Sequence, residues 1–505
     1  MKPQSNQWQR LTETAIRRQQ AKMLRGYLRS VVLPFSAHYQ NLFREQGLDA
    51  GSIRTLADLE RIPFTTKADL LNTAEHPQRY RDFLLVPQEK ILVRRPGTIW
   101  RALTRGRASV LEKFENEFRP VFMTFTTGRA AEPVPFFYTR HDLAQLALAG
   151  RRLMEVCESR HGERMLNAFP YAPHLAFWLT HYAGTSFGAL VLSSGGGKVM
   201  GTDGTLRLIR TLKPEALIGI PTFLYHVLSQ AVAEKLRCEN LRCLALGGEK
   251  VSDGLRVKLR ELARELGSPE VNVLSIYGFT EGKLAWAECP FPPDQPSGGY
   301  HLYPDLGIVE IINPQTGEVV PPGHSGEIVY TPLDARGTVV LRYRTGDYID
   351  GGLTYEPCPY CHRTMPRLVG RISRSSEIKE MHLDKIKGTL VDFNVLEHVL
   401  DGAPGIGTWQ VELRKANDDP LELDEIVLHV QTTDDAERSQ LSRELSERCW
   451  RQIEIRPNRI CFHTAAEIRQ LQGVGVLLKE QKLVDHRPTL KTPGRPAEVQ
   501  MTNAK

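Results

Sequence analysis

The 505-residue chain carries 65 Lys and Arg against 59 Asp and Glu, and 41% of its residues are hydrophobic. This composition is typical of a globular protein with roughly three structural units, and it excludes a collagen, a coiled coil and a wholly disordered chain. The net charge of +6 suits an anionic ligand but is too dilute to indicate DNA, so nucleic-acid binding is not expected.

The eight cysteines and the N-terminal residues bear on the compartment. Five of the cysteines are scattered, which does not suggest a disulfide scaffold, and the first residues lack the apolar block of a secretory signal. The apolar stretch 165–197 contains prolines and glycines, and its most apolar runs are shorter than the ~20 residues that cross a bilayer. We therefore expect a cytoplasmic protein without a membrane span.

The elements can be predicted in chain order from apolar spacing. Residues 8–31 indicate an amphipathic helix with a basic face. Between about 143 and 285, helical patterns alternate with four short apolar runs, which predict buried strands of an α/β sheet. These runs are 189–192, 216–220, 243–246 and 271–276. Because ligands of such sheets bind at the carboxyl ends of the strands, the residues after these runs are the first candidates for a site.

The pattern becomes β-rich after about 300. Strands are expected at 307–312, 326–330 and 338–341. A last unit begins near 372, where strands at 409–414, 425–431 and 459–462 and a helix at 436–453 indicate a small α+β domain. The final dozen residues, from about Pro493, are expected to be frayed.

Four short motifs contain residue types that suit a nucleotide. TFTTGR at 124–129 supplies hydroxyls, a glycine and a cation for phosphate oxygens. GGE at 247–249 lets a flat ring approach the backbone. YGFTE at 277–281 offers an aromatic face, a hydroxyl and a hard oxygen ligand for Mg²⁺, and YRTGD at 343–347 ends on a carboxylate that can accept both ribose hydroxyls. Each motif alone is more often an ordinary turn or cap.

In this order the motifs resemble the adenylate-forming (ANL) superfamily, and most closely the phenylacetate–coenzyme A ligase family. The resemblance extends to SAHY at 36–39, IPFTTKADL at 62–70, GIPTFL at 219–224, and Gly370-Arg371 followed by Lys387-Gly388. It implies an α/β fold, with a large multi-sheet N-terminal adenylate-forming domain at 1–370 and a small α+β C-terminal lid at 371–505. The implied activity is ATP-dependent adenylation of a carboxylic acid, followed by transfer to coenzyme A with release of AMP.

The resemblance also implies the roles of individual residues. Phosphate binding falls to Thr126, Thr127 and Gly128, and the adenine is faced by Gly248 and Glu249. The adenylate pocket is lined by Tyr277, Gly278 and Thr280. Mg²⁺ is held by Glu281, the ribose by Asp347, and the nucleotide near the hinge by Arg371.

Three positions depart from the family pattern. Phe125 replaces a glycine of the phosphate loop, and Ile372 follows Gly370-Arg371 where an aspartate is usual. The lid lysine that reaches the reacting oxygens is replaced by Arg495, whose planar fork differs from a compact ammonium, and Lys491 is the alternative cation.

These departures keep other readings open. They include an adenylating enzyme with another acceptor or substrate, such as an amine, a carrier-protein thiol or nitrite for diazotisation, and a nucleotide-binding relative with reduced catalysis. A homodimer is one of the assembly states left open.

A metal site is predicted separately. Cys358 and Cys361 have the two-residue gap with which a turn grips zinc, and Cys289 and His301 can complete a Cys₃His set. His362 competes as the fourth ligand, and reduced thiols without metal are the alternative. Members of the resembled family can carry such a structural zinc.

The acid is expected to bind beside the aromatic-rich stretch 168–178, which would suit an aromatic acid. Core packing is the competing explanation of these aromatic residues, and His174 and His181 are expected to be structural.

Overall fold

The computed structural model describes residues 6–88, 91, 96–126, 133–374, 385–386, 389–390, 393–415, 424–432, 438–453, 456–477 and 480–486. The chain forms two compact units, one of residues 1–380 with 473–480 and the other of residues 381–472 with 481–505. The first unit continues past the expected boundary at 370, because the strand Ile372–Arg374 pairs with Tyr343–Ile349.

The first unit contains eleven α-helices within the described ranges. They are Glu13–Tyr27, Leu33–Phe35, Ala37–Glu45, Lys67–Leu70, Pro96–Phe118, Arg140–Val156, Leu175–Phe187, Gly196–Val199, Gly201–Leu212, Pro221–Ala233 and Asp253–Glu265. Short 3₁₀ turns lie at Asn6–Gln9, Ala57–Arg61, Arg79–Phe83 and Thr280–Gly282, and a π-helical turn at Leu28–Val32. Among the described residues no helix combines the length and apolarity needed to cross a bilayer.

Local signals explain where several helices begin. The expected N-terminal helix starts at Glu13, because the Thr12 hydroxyl caps it by accepting a hydrogen bond from the backbone N–H of Ala15 at 3.3 Å. Helix Arg140–Val156 begins with a capping box, in which Thr139 and Asp142 satisfy each other's backbone N–H groups.

A six-stranded sheet forms the centre of the first unit. Its strands are β3 (Arg164–Asn167), β4 (Leu190–Ser193), β5 (Ala216–Gly219), β6 (Cys243–Gly247), β7 (Asn272–Phe279) and β8 (Leu284–Ala287). The order is β4-β3-β5-β6-β7-β8, and all neighbours are parallel except β7 and β8. The four apolar runs predicted as strands are confirmed, and strand β5 is buried at every residue as expected of a parallel sheet covered on both faces.

Smaller antiparallel sheets complete the first unit. Their strands are β1 (Pro120–Phe125), β2 (Pro135–Thr139), β9 (Tyr300–His301), β10 (Gly307–Ile312), β11 (Gly326–Pro332), β12 (Tyr343–Ile349), β13 (Leu353–Thr354), β14 (Arg367–Leu368) and β15 (Ile372–Arg374). They form the hairpin β1-β2 and the sheets β10-β11-β12-β15 and β13-β14-β9.

The prediction of a strand at 338–341 is wrong. This segment makes only an isolated bridge between Thr338 and Leu84. It is buried, and its backbone groups bond to the N-terminal region instead, with the Tyr39 hydroxyl donating to the carbonyl of Val339 and accepting from the N–H of Leu341. An apolar run therefore indicated burial correctly here, but not a ladder.

The second unit has its own core and matches the predicted α+β pattern. Its strands are β16 (Lys385–Ile386), β17 (Thr389–Leu390), β18 (Ile406–Lys415), β19 (Asp424–Thr432), β20 (Arg459–His463) and β21 (Leu483–Asp485), and its helices are Phe393–Asp401, Arg438–Ile453 and Ala465–Leu471. The main sheet has the order β20-β19-β18-β21. Alternate residues such as Trp409, Val411 and Leu413 enter the core, and the residues between them are polar.

Candidate adenylate site and cysteine–histidine cluster

Two hydrogen bonds join the carboxyl end of the parallel sheet to the antiparallel sheet. The hydroxyl of Tyr277, on β7, donates to Oδ2 of Asp347 on β12 at 2.8 Å. The hydroxyl of Tyr343, at the start of β12, donates to Oε1 of Glu281 at 2.7 Å. Two of the sequence motifs, 70 residues apart, therefore meet in one place, and two carboxylates of this site are held by tyrosine hydroxyls.

Strand β12 is irregular where it carries Asp347. Its register against β11 shifts at this point, and Gly346 has a positive φ of 72°. The Thr345 hydroxyl accepts from the N–H of Asp347 at 3.0 Å and donates to the carbonyl of Ile328. Bulges of this kind re-aim side chains beside active sites, which explains why a buried carboxylate stands at this position.

Tyr343 is a site residue that the sequence reasoning missed. It opens the YRTGD motif but received no role, because a strand tyrosine is ordinarily core, and its side chain is indeed buried. Two features of the sequence could have identified Tyr343. It lies at the start of the motif that carries Asp347, and its hydroxyl needs a hydrogen-bond partner when the ring is buried.

The glycine pair at the end of β6 forms a tight turn. Gly248 has a φ of +84°, which an L side chain adopts only with strain, and a Cβ there would come no closer than 4.0 Å to Ile220 or Phe169. Glu249 accepts hydrogen bonds from the hydroxyl of Thr222 at 2.8 Å and from its backbone N–H at 3.3 Å. Glu249 thereby caps helix Pro221–Ala233, which is a structural contact that the sequence reasoning did not foresee.

The predicted phosphate motif is described up to Thr126. This residue is buried, and its hydroxyl accepts from the N–H of Val134 at 3.0 Å while its own N–H donates to the carbonyl of Val134. The two ends of the intervening segment are thus tied together. The predicted residues Thr127 and Gly128, and also Lys491 and Arg495, lie outside the described residues.

Other predicted residues have contacts that are largely structural. A Cβ on Gly278 would lie 2.6 Å from the Cβ of Ala285, so the close approach of β8 requires glycine there. Thr280 is buried at the start of a 3₁₀ turn. The guanidinium of Arg371 is 79% exposed and pairs with Asp350 at 3.1 Å, at the far end of the β12-β15 ladder from Asp347.

The aromatic stretch divides into core and surface. Phe169 and Phe177 are buried, whereas Tyr171 is exposed. The rings of Tyr171, Phe177 and Trp178 pack edge to face at 5.2–5.9 Å, and Trp178 also contacts Phe122 of β1. His174 bonds through Nδ1 to the carbonyl of Phe125 at 3.2 Å, which ties this stretch to the end of β1 and supports the expected structural role.

A buried ion pair lies behind β7. Nη2 of Arg256 donates to both carboxylate oxygens of Glu288, at 2.9 and 3.0 Å, and both side chains are almost fully buried. Glu288 also accepts from the N–H of Ser275, whose hydroxyl accepts from the Tyr300 hydroxyl at 3.0 Å. The Tyr300 ring lies 5.9 Å from that of Tyr277, so this network supports the strand that carries the candidate adenylate site.

A second buried pair follows Glu281 in the chain. The Lys283 ammonium donates to the carbonyl of Phe137 at 2.8 Å and lies 3.4 Å from Asp142. Burial lowers the pKa of Lys283, although Asp142 partly offsets this. Burial would raise the pKa of Asp142, but Lys283 and three backbone N–H donors lower it overall, so the carboxylate is ionised at neutral pH.

Cys289, His301, Cys358 and Cys361 form the Cys/His cluster. Their ligand atoms all lie within 4.8 Å of one another. Sγ of Cys289 is 3.6 Å from Sγ of Cys358, and Nε2 of His301 is 3.2 Å from Sγ of Cys361. The structure thus brings together the four residues predicted from the sequence, and His362, the competing ligand, is exposed and outside the group.

The cluster is buried and its groups face one another. Nδ1 of His301 has no hydrogen-bond partner within the described part of the chain, whereas Nε2 contacts Sγ of Cys361 on the cluster side. Hydrogen bonds between the thiols lower the pKa of Cys358, with Cys289 as the main donor, and raise the pKa of Cys289.

Arg367 holds the chain on both sides of the cluster. Its buried guanidinium donates to the carbonyl of Gly298, and also to the carbonyls of Glu356 at 2.9 Å and Pro357 at 3.3 Å. Residue 367 pairs with His301 in the β14-β9 ladder. One side chain therefore positions the segments that carry His301 and Cys358.

Comparison with known proteins agrees with this geometry. The family model described as AMP-binding enzyme matches residues 60–332, and the chain belongs to this family of adenylate-forming proteins. The resemblance to its phenylacetate–coenzyme A ligase branch is confirmed by curated relatives. The chain is similar to the phenylacetate-coenzyme A ligase of Thermus thermophilus, with 28% identity over 430 residues that cover 83% of this chain and 81% of the relative.

A second relative and a solved structure extend the comparison. The phenylacetate-coenzyme A ligase of Pseudomonas putida is 27% identical over 340 residues, and the match spans 66% of each chain. The crystal structure of 2-hydroxyisobutyryl-CoA ligase in the postadenylation state in complex with R3-HIB-AMP has a TM-score of 0.73 at 20% identity and covers 96% of this chain and 94% of that one. This likeness confirms the predicted fold class.

Proposed function

We propose that the protein adenylates a carboxylic acid with ATP and transfers the acyl group to coenzyme A. The observation that carries this proposal is the meeting of Tyr277 with Asp347 and of Glu281 with Tyr343 at the carboxyl end of the parallel sheet. Family membership and the similarity to phenylacetate-coenzyme A ligases support the same reaction.

The reaction has two steps. The substrate carboxylate attacks the α-phosphorus of ATP, and pyrophosphate leaves with the electron pair of the cleaved P–O bond. The thiol of coenzyme A then attacks the acyl carbon, loses its proton, and displaces AMP. In this proposal the carboxylate of Asp347 accepts hydrogen bonds from the ribose hydroxyls, and the turn at Gly248 lies against the adenine ring.

Mg²⁺ would be held by Glu281. Carboxylate oxygens are the ligands that Mg²⁺ prefers, and the Tyr343 hydroxyl at 2.7 Å orients this carboxylate. When bound, the ion offsets charge on the ATP phosphates. Lys283 follows the 3₁₀ turn Thr280–Gly282 and contacts Asp142 and the carbonyl of Phe137. These contacts stabilise the turn that carries Glu281.

We propose an aromatic acid as the substrate. The edge-to-face cluster of Tyr171, Phe177 and Trp178 at the end of β3 supplies aromatic surface of the kind that packs against an aryl ring. The exposure of Tyr171 leaves part of this surface open to a ligand.

Pyrophosphate release with a panel of acids tests the proposal. Phenylacetate, benzoate and a small hydroxy acid are offered with ATP and Mg²⁺, and each product is then trapped with coenzyme A, an amine or a carrier protein. We expect release with an aryl acid and a thioester with coenzyme A. Asp347→Asn should abolish most of the release, whereas Asp350→Asn, at the exposed pair with Arg371, should not.

The outcomes separate the alternatives. An amide or a carrier-bound product instead of the coenzyme A thioester would assign a different acceptor, and release with nitrite would assign diazotisation. ATP binding without pyrophosphate release for any acid would indicate a relative with reduced catalysis.

We also propose that the second unit, rather than the whole chain from 371 onward, acts as a mobile lid, with Arg495 or Lys491 as its cation, because the strand Ile372–Arg374 belongs to the first unit. Arg495→Ala should slow adenylate formation but leave thioester formation from a preformed adenylate nearly intact. Equal loss in both steps would contradict this division. The free state of all eight cysteines supports our proposal of a cytoplasmic protein.

The Cys/His cluster is proposed to hold a structural zinc ion. Tetrahedral zinc with Zn–S of about 2.3 Å places two sulfurs about 3.8 Å apart, close to the observed 3.6 Å between Cys289 and Cys358. Protein purified without chelators should contain about one zinc, and Cys361→Ser should lower this content, whereas Cys243→Ser, another half-buried cysteine, should not. Less than about a tenth of an equivalent in the unaltered protein would contradict the proposal.

A further inference from the structure

A row of ionisable side chains crosses the polar face of the main sheet in the second unit. His429 lies on β19, Glu412 on β18 and His463 on β20, while Glu467 follows on the helix Ala465–Leu471. In register, Gln410 is opposite His429, and Gln431 is beside His463, so these residues share the face that does not enter the core.

The two imidazoles face each other directly. Nδ1 of His429 lies 2.9 Å from Nε2 of His463. The outer nitrogens both face carboxylates: Nε2 of His429 is 3.0 Å from Glu412, and Nδ1 of His463 is 4.0 Å from Glu467. The order across the face is therefore carboxylate, imidazole, imidazole, carboxylate.

We propose that His429 and His463 bind a divalent transition-metal ion through Nδ1 and Nε2, at a site separate from the Cys/His cluster and from the candidate adenylate site. In the neutral pair one of the two facing nitrogens carries the N–H. When the ion binds, this proton moves through solvent to the outer nitrogen of the same ring, so that no proton is released overall. Each neutral ring then presents a lone pair to the ion and an N–H on the side of a carboxylate, which is the usual outer arrangement of metal-bound histidines.

The spacing of the nitrogens fits this assignment. Two imidazole ligands at about 2.0–2.1 Å from one ion and at right angles to each other have nitrogens about 2.9 Å apart. The observed separation of 2.9 Å thus matches adjacent coordination positions. The rings need to rotate so that both lone pairs point at the ion, but the distance between the two nitrogens need not change.

A further observation supports the site. Oε1 of Gln431 is buried and has no hydrogen-bond partner within the described part of the chain, and this residue neighbours both histidines on the same face. An amide oxygen is a suitable additional ligand for a divalent ion.

Nickel uptake by the full-length protein tests the proposal. Equilibrium dialysis against NiCl₂ with metal analysis should show one more Ni²⁺ per chain in the unaltered protein than in His463→Gln or His429→Gln. His324→Gln, which changes an exposed histidine of the first unit, should not differ from the unaltered protein. Glu412→Gln should weaken binding at this site by about tenfold or more, because it removes the outer carboxylate.

A second measurement does not depend on the folding of the variants. Ni²⁺ should protect His429 and His463 of the unaltered protein from diethyl pyrocarbonate, as read by peptide mass spectrometry, and leave His324 reactive. Equal nickel uptake by the unaltered protein and both folded histidine variants would overturn the proposal. If the variants do not fold, equal modification of His429 and His463 with and without Ni²⁺ would overturn it.

Discussion

The two main sheets of this protein place reactive side chains in different ways. In the six-stranded parallel sheet the strands are apolar on both faces, and the polar residues of the candidate site follow the strands, as Gly248 follows β6, or lie at their ends, as Tyr277 does on β7. In the main sheet of the second unit only one face is apolar, and Glu412, His429 and His463 lie within the strands.

This difference follows from what covers each sheet. A strand buried on both faces cannot carry an ionisable group in its middle without a partner, so chemistry is confined to the ends. A strand with one polar face can carry such a group at every second residue. This face is partly covered, since Gln410 on it is buried and donates to the carbonyl of Leu471, and its ionisable groups pair with one another. Buried charge in the first unit is accordingly paired, as in Arg256 with Glu288, whereas Arg414 and Glu425 of the second unit pair half-exposed.

The largest expected difference between the two units is in the free energy of unfolding when one partner is removed from each ion pair. Arg256→Met leaves Glu288 buried without its cation and should lower the free energy of unfolding by about 3–5 kcal/mol. Arg414→Met should lower it by less than about 1 kcal/mol, because its pair remains accessible to water. Urea unfolding followed by circular dichroism measures both, and similar losses would break the distinction.

A substitution at the end of β7 tests whether the chemistry is located there. Glu281→Gln should slow pyrophosphate release by about 10²-fold, on the scale of losing one transition-state electrostatic contact. Tyr343→Phe removes only the hydrogen bond that orients Glu281 and should cost about tenfold. Near-normal release by Glu281→Gln would remove this residue from the site.

The turn after β6 allows a smaller test. Gly248→Ala should destabilise the protein by about 1 kcal/mol through backbone strain alone, since its φ is +84° and the added methyl group meets no close atom. Gly26→Ala is equally free of contacts and lies within the continuous helical stretch formed by Glu13–Tyr27 and the π-helical turn Leu28–Val32, so it should stabilise by up to about 1 kcal/mol. Thermal unfolding would reveal the opposite signs, and two shifts of the same sign would contradict this account.

The smallest effect concerns pH. Burial lowers the pKa of His141, but the hydrogen bond with Asp334 and the charge of that carboxylate raise it more, so the net pKa lies above 6.5. Its stabilisation is complete below that value and is lost as the pH rises through the folded pKa. The pKa of His463 is lowered by burial, so its contribution is present above 6.5 and is lost as the pH falls.

Substitution of His141 should therefore weaken the dependence of stability on pH above about 6.5, and substitution of His463 should weaken it below about 6.5. His141→Gln should reduce the loss of stability on raising the pH from 6 to 8, and His463→Gln the loss on lowering it from 7 to 5. Thermal unfolding across this range without added metal is the measurement. A change on the same side for both variants would contradict the assigned directions.

The sequence predicted what local patterns encode. The parallel strands and the α+β pattern of the second unit followed from apolar runs. Cysteine spacing gave Cys358 and Cys361, whereas Cys289 and His301 were candidates from separated segments that the structure brings to the same cluster. Tyr343 was missed because its partner, Glu281, is 62 residues away and only the packing of β7 against β12 brings them together. The capping role of Glu249 likewise depends on the neighbouring helix start at Thr222.

The histidine row was missed for a related reason. His429 and His463 are 34 residues apart on adjacent strands, and nothing in their spacing gives the register. A shift of one residue would send one ring into the core. The segment 338–341 shows a different limit of sequence-based prediction. Its apolar run correctly predicted burial, but it did not predict which backbone groups the segment would bond to.

The guanidinium of Arg367 has a consequence for the Cys/His cluster. It bonds to the carbonyls of Gly298, Glu356 and Pro357, so the protein itself, without help from an ion, draws together the loops before His301 and Cys358. Binding of an ion would then order these loops only slightly further, because Arg367 already holds them. Release of the ion would leave the two loops in place. If the cluster holds the proposed zinc ion, exchange of that ion is expected to proceed without unfolding of the surrounding chain.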